Sequence, residues 1–212
     1  MIVPPSMTLS ESSQGPSHLD ARPFMIAAFD PGGDLGWALG PACGVNPLRS
    51  GQLHLKEGRF EGGGLRYLRL LRWLERIHED TPLDLVAFER VAAHKGTDAA
   101  HVYGGMVAII TSWCESAGVP YAGIPVGEIK KHATRSGKAD KDAVIAAMRA
   151  RHLNPGSHDE ADAQAIWLLA REELAPHGAA LAAIARSELE RLSLREAKSR
   201  SRSRERRPWP AA

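Results

Sequence analysis

The sequence predicts an α/β fold in which a mixed five-stranded sheet is flanked by helices. Three apolar or alternating segments between residues 24 and 56 succeed one another across short glycine-rich turns, as antiparallel strands do. From residue 64 onward, helical patterns alternate with short apolar runs, the mark of parallel strands joined by helical crossovers. Hydrophobic residues make up 43% and charged residues 25% of the 212 residues, a globular balance, and no apolar run approaches the ~18–20 residues of a membrane span.

Taken in order, "FMIAAFD" (24–30) is a continuous apolar strand of the kind buried on both faces. "GWALG" (36–40) reads as a second strand and the alternating "SGQLHLK" (50–56) as a third. "GGGLRYLRLLRWLERIHED" is an amphipathic helix, with Leu65, Leu68, Leu71, Leu74, Trp73 and Ile77 on one stripe and Arg66, Arg69, Arg72 and Arg76 largely on another face. "TPLDLVAFERV" is a strand ending in Glu89, residues 97–117 a helix closed by Gly118, and "VPYAGIPV" a further strand. "VGEIKKHAT" is a short helix, "RSGK" a basic loop, and residues 140–152 and 158–174 two more helices.

The domain plan is a disordered leader (1–22), a globular domain (23–178), a C-terminal helix (179–197) and a basic disordered tail (198–212). The leader has no basic start before an apolar core, which argues against a secretory signal. Cys43 and Cys114 stand far apart without CxxC partners, which argues against a zinc site or disulfide framework and fits a reducing cytoplasm. The net charge of +2 hides an asymmetry. Residues 191–212 carry eight Lys/Arg against two acids, and the preceding 190 residues are net −4. A run such as "SRSRSRERR" attracts phosphate backbones without regard to sequence.

Acids stand at places a packed core does not favour. Asp30 ends an apolar strand, Glu89 ends another, and Asp159 and Asp162 lie three apart at a helix start, on one face. Each alone has an ordinary explanation: Asp30 as a turn cap, Glu89 as an exposed strand end, Asp159 as a helix N-cap. Together, four carboxylates in a partly desolvated site repel one another unless protonated or bridged by cations. Oxygen-only ligands suit Mg2+ or Mn2+, and two such ions roughly 3.5–4 Å apart can clamp the attacking and leaving oxygens of a phosphodiester.

These stretches resemble the RuvC-type Holliday junction resolvases, within the ribonuclease H-like nucleases, from about Ile26 to Leu169. "AFDPGGDLGWA" is similar to the family's first-strand motif, "VAFERV" to its fourth-strand motif and "HDEADAQAI" to its terminal helix motif. The resemblance implies that Asp30, Glu89, Asp159 and Asp162 are the catalytic, metal-binding acids, with two Mg2+ per site and Mn2+ able to substitute. It implies a homodimer that binds a four-way DNA junction in the cytoplasm of a bacterial or phage-infected cell. Each subunit nicks one of two opposed strands with metal-activated water, leaving 5′-phosphates. "IKKHATRSGKADKDAV" is similar to the family's lysine-containing segment, which implies DNA contacts by Lys130, Lys131, Lys138 and Lys141; if helical, Lys138 and Lys141 share a direction. His158, beside Asp159, and His94 are accessory candidates.

The sequence departs from the family pattern at Ala92, where an aromatic residue is usual three positions after the glutamate. That leaves open a nuclease for other branched DNA, such as flaps, forks or replication and packaging intermediates. "DPGGDLGWA" also resembles the phosphate loop of actin-like ATPases and sugar kinases, but those need two such lobes and one is legible here.

Overall fold

A computed structural model of the chain describes residues 22–43, 49–93 and 96–178, with scattered positions from 180 to 198. The expected leader up to residue 21, the tail after residue 198 and most of the helix over 179–197 lie outside the described residues, as does His94, while Arg22 pairs with Asp84 at 2.6 Å.

One sheet runs in the order β3-β2-β1-β4-β5. It consists of β1 (Met25–Asp30), β2 (Asp34–Pro41), β3 (Arg49–His54), β4 (Leu85–Arg90) and β5 (Tyr121–Pro125). The first three strands pair antiparallel, β1 with β2 and β2 with β3, while β4 lies parallel to both β1 and β5. The mixed sheet predicted by the switch from short turns to helical crossovers is therefore present. The helices are α1 (Leu65–Asp80), α2 (Thr97–Ala117), α3 (Val126–Thr134), α4 (Lys141–Ala150) and α5 (His158–Leu169). Gly118, at φ 66°, ends α2 in the left-handed conformation that glycine adopts without a Cβ penalty.

The pleat sends alternate side chains to opposite layers. Ala27, Phe29, Val86 and Phe88 point to a layer filled by Leu70 and Leu74 of α1 and Met106, Ile110 and Trp113 of α2. Ile26, Ala28, Leu85 and Ala87 face the other layer, with Ala161, Ala163, Ala165 and Ile166 of α5. Small residues on both sides of that second interface let α5 lie close against the sheet.

Several boundaries differ from the sequence reading. β2 begins at Asp34, because pairing with β3 extends back to His54. Asp140 does not start a helix but caps α4, accepting from Ala143 N at 2.8 Å, so Lys138 sits in the preceding turn and does not share a helical direction with Lys141. The last helix changes to a π turn over Ala170–Leu174. The α1 stripe keeps Leu71, Trp73, Leu74 and Ile77 against the core but differs at its start: Leu65 and Leu68 are 41% and 40% exposed, Leu70 joins Leu74 in the core, and Arg66 is 8% exposed and paired with Glu57. Leu68 stands about 200° around the helix from Leu70, and Arg66 buries its aliphatic stem while a carboxylate meets its head.

Candidate active site

The site is assembled on one row of the sheet. Gln52 pairs opposite Gly36, and Gly36 opposite Asp30. The β1–β4 register runs through Phe29 and Phe88, so the next step sets Asp30 beside Glu89. Directly paired residues project to the same face, and here it is the α5 face. Both carboxylates stand at the ends of buried strands, which fixes them more firmly than a loop would.

The second pair of acids arrives on α5. Ser157 is the N-cap, its hydroxyl accepting from Glu160 N, so Asp159 is not spent on capping. The first turn rests directly on β2. A Cβ added to Gly36 would stand 1.9 Å from the Asp159 carbonyl oxygen, so only glycine allows this approach. Polar bonds tie the same turn to β3. Gln52 donates to Asp159 Oδ2 at 2.8 Å, Ser50 donates to Glu160 Oε1 at 2.6 Å, and Gln164 donates to the Ser50 hydroxyl at 2.8 Å. On the far side, the Tyr103 hydroxyl of α2 donates to the Glu89 carbonyl and accepts from Val91 N, both at 3.0 Å, anchoring the end of β4. Gly105 of the same helix lies against the Tyr67 ring of α1.

The electrostatics single out this cluster. Asp30 is held well above the ordinary carboxylate range, first by burial, then by the charges of Glu89, Asp162 and Asp159 and a hydrogen bond with Glu89. Glu89 is raised by burial and Asp162, while the bond with Asp30 and the charges of Lys130 and Lys141 oppose the shift. Asp162 is raised by burial; Lys141 and Lys130 pull it down, Asp159 pushes it up and His158 eases it. Asp34, four residues after Asp30, behaves in the opposite way. Hydrogen bonds with His54 and Lys56 hold its carboxyl below the usual range. The same turn thus carries one partnered acid and one acid with mainly acids for company.

The oxygen-only donors and their mutual repulsion fit a hard divalent cation. Among the described residues no three acids or imidazoles already stand as a ligand cage. Asp30 and Glu89 instead hydrogen-bond to each other.

The lysines divide. Lys130 donates to the Ala139 carbonyl at 2.7 Å, tying α3 to the turn before α4, and its charge reaches Glu89 and Asp162. Lys141, exposed at the start of α4, acts on the same two acids. Lys131 and Lys138 are exposed on α3 and in the turn after it. His158 opens α5, its charge acts on Asp162, and its buried Nδ1 has no hydrogen-bond partner among the described residues. Ala92 is exposed just past β4. Sequence reasoning missed Gln52. A polar side chain in an edge strand gives no local signal, although the alternation of "SGQLHLK" does put Ser50 and Gln52 on one face.

A mixed sheet in this order, with helices on both faces, defines a ribonuclease H-like fold. The comparisons give the particular form. The chain resembles the RuvC of Thermus thermophilus, with 27% identity and a TM-score of 0.56 over 70% of this chain and 96% of that one. It also resembles the same organism's RuvC in complex with a Holliday junction substrate, with 23% identity and a TM-score of 0.59 over 68% of this chain and 90% of that one. No protein-family model and no curated protein matches the sequence. The chain has the RuvC fold in a divergent sequence. Among the described residues no helix is long and apolar enough to cross a membrane.

Proposed function

We propose that this protein is a Mg2+-dependent, structure-selective endodeoxyribonuclease that resolves four-way DNA junctions by paired symmetric nicks. The observation that carries the reading is the convergence of Asp30, Glu89, Asp159 and Asp162 from three elements, with Asp30 held well above its ordinary value and Glu89 and Asp162 raised from theirs. The likeness to RuvC, in one case bound to a Holliday junction substrate, supports the choice of DNA target.

In this reading Asp30, Glu89, Asp159 and Asp162 hold two Mg2+, or Mn2+ in their place. The ions would supply an activated water and a Lewis acid at the scissile phosphate. The chain's own residues do the positioning. β1 and β4 fix Asp30 and Glu89, and α5 sets Asp159 and Asp162 across from them. Lys130 and Lys141 offset the negative charge that substrate and acids bring together, while Lys131 and Lys138 extend the positive surface toward neighbouring phosphates. A homodimer in the cytoplasm supplies one site for each of the two opposed strands.

The test is incubation with synthetic four-way junction, flap, fork and duplex DNA plus Mg2+. Paired nicks confined to the junction are expected. Equal cutting of flap and junction sinks the junction assignment and favours the second reading, a nuclease for other branched DNA. The small Ala92 side chain favours that alternative, because it offers no ring to stack on a base.

A further inference from the structure

We infer that Gln52 is a positioning residue of the candidate cation site, holding the Asp159 carboxylate in its ligating orientation. The inference rests on the nuclease reading above and names a residue that the acidic motifs do not contain.

Three observations converge on Gln52. It occupies the same sheet row as Asp30, one strand beyond Gly36, so the pleat directs it to the face that bears the acids. Gly36 leaves that row empty between them, and the Asp159 backbone fills the gap. Gln52 is thereby brought beside the first turn of α5, where its amide donates to Asp159 Oδ2 at 2.8 Å. One carboxylate oxygen is engaged, and Oδ1 carries no hydrogen bond among the described residues. A carboxylate on a helix start has rotational freedom about two side-chain torsions, and an amide donor on a paired strand removes much of it. Gln52 is neutral. It orients the acid without competing for the cation as a lysine would and without adding to the repulsion as a glutamate would.

A purely structural role is the competing explanation, and the neighbouring residue provides its control. Ser50 lies on the same strand and face and also ties α5 to β3, but through Glu160 and Gln164. The experiment measures Mn2+ binding by electron paramagnetic resonance of the free ion, together with the Mg2+ concentration giving half-maximal junction cleavage. Both use full-length wild-type, Gln52→Leu and Ser50→Ala proteins whose folding is checked by circular dichroism melts.

Outer ligand partners are typically worth 10–100-fold, so Gln52→Leu is expected to weaken Mn2+ binding by about tenfold or more and to raise the half-saturating Mg2+ by a similar factor. Cleavage should recover at high Mg2+. Ser50→Ala is expected to lower the melting temperature while leaving Mn2+ binding within about twofold of wild type. Wild-type Mn2+ affinity in Gln52→Leu overturns the inference, and so does an equal loss in Ser50→Ala. A wild-type protein that neither binds Mn2+ nor cuts DNA overturns the nuclease reading itself, and the inference with it.

Discussion

The two faces of the sheet are built on different principles. Toward α1 and α2 the strands present Phe29, Phe88 and Leu35, and Trp73 meets the Phe29 and Trp37 rings edge-on at 5.8 and 5.7 Å. Large side chains interdigitate there, as a stabilising core requires. Toward α5 the strands present Ala28, Ala38 and Ala87 beside Ile26 and Leu85, and the helix answers with Ala161, Ala163 and Ala165 beside Ile166 and Trp167. Where alanine meets alanine and Gly36 meets the Asp159 backbone, the helix comes close enough to set its acids over the strand ends. One face mainly holds the fold together and the other mainly holds four like charges in place.

Breaking the first face should cost the most stability. Leu74, fully buried, replaced by alanine is expected to destabilise by about 2–5 kcal/mol in denaturant unfolding. The protein that remains folded should keep its metal affinity, since Leu74 belongs to the opposite layer. Breaking the second face should do the reverse. Gly36→Ala forces the first turn of α5 away from β2, at an overpacking cost of about 1–3 kcal/mol. Displacing Asp159 by that turn should lower junction cleavage by about 100-fold in single-turnover kinetics.

The smallest expected effect concerns stability without metal. An acid whose pKa is higher in the folded than in the unfolded chain keeps its proton longer in the folded state. Burial, Glu89, Asp162 and Asp159 raise Asp30 in this way. The metal-free protein should therefore be favoured most at acidic pH and lose stability as pH rises through the raised values. Asp30→Asn removes that loss. In EDTA, melts from about pH 4 to about pH 8 should show the variant more stable than wild type toward neutrality, with the difference fading at acidic pH.

The sheet was legible because strand alternation and turn chemistry are local. The motif acids were legible because a charge at the end of an apolar run conflicts with simple burial. Other features depend on register or on helix phase. Gln52 acquires meaning only once Gly36 is seen opposite it and Asp159 above. The start of the α1 stripe was misread because "LRYLRLLRWL" supplies leucines on several faces, and only packing against α2 and the sheet selects Leu70 over Leu65 and Leu68. Arg66 could not be read as buried, because its partner Glu57 lies nine residues earlier in a loop. Lys138 was separated from Lys141 by the cap at Asp140, a choice between cap and first helical residue that sequence resolves poorly.

The central claim is that the four carboxylates act as one cation site whose protons a metal displaces. Titration calorimetry of Mn2+ into the protein, across about pH 4.5 to 7.5 and in buffers of different ionisation enthalpy, tests it most directly. The account predicts saturable binding that strengthens as pH rises, with proton release at the acidic end, and loss of both in Asp30→Asn. Binding that is absent, that ignores pH, or that survives unchanged in Asp30→Asn would contradict it.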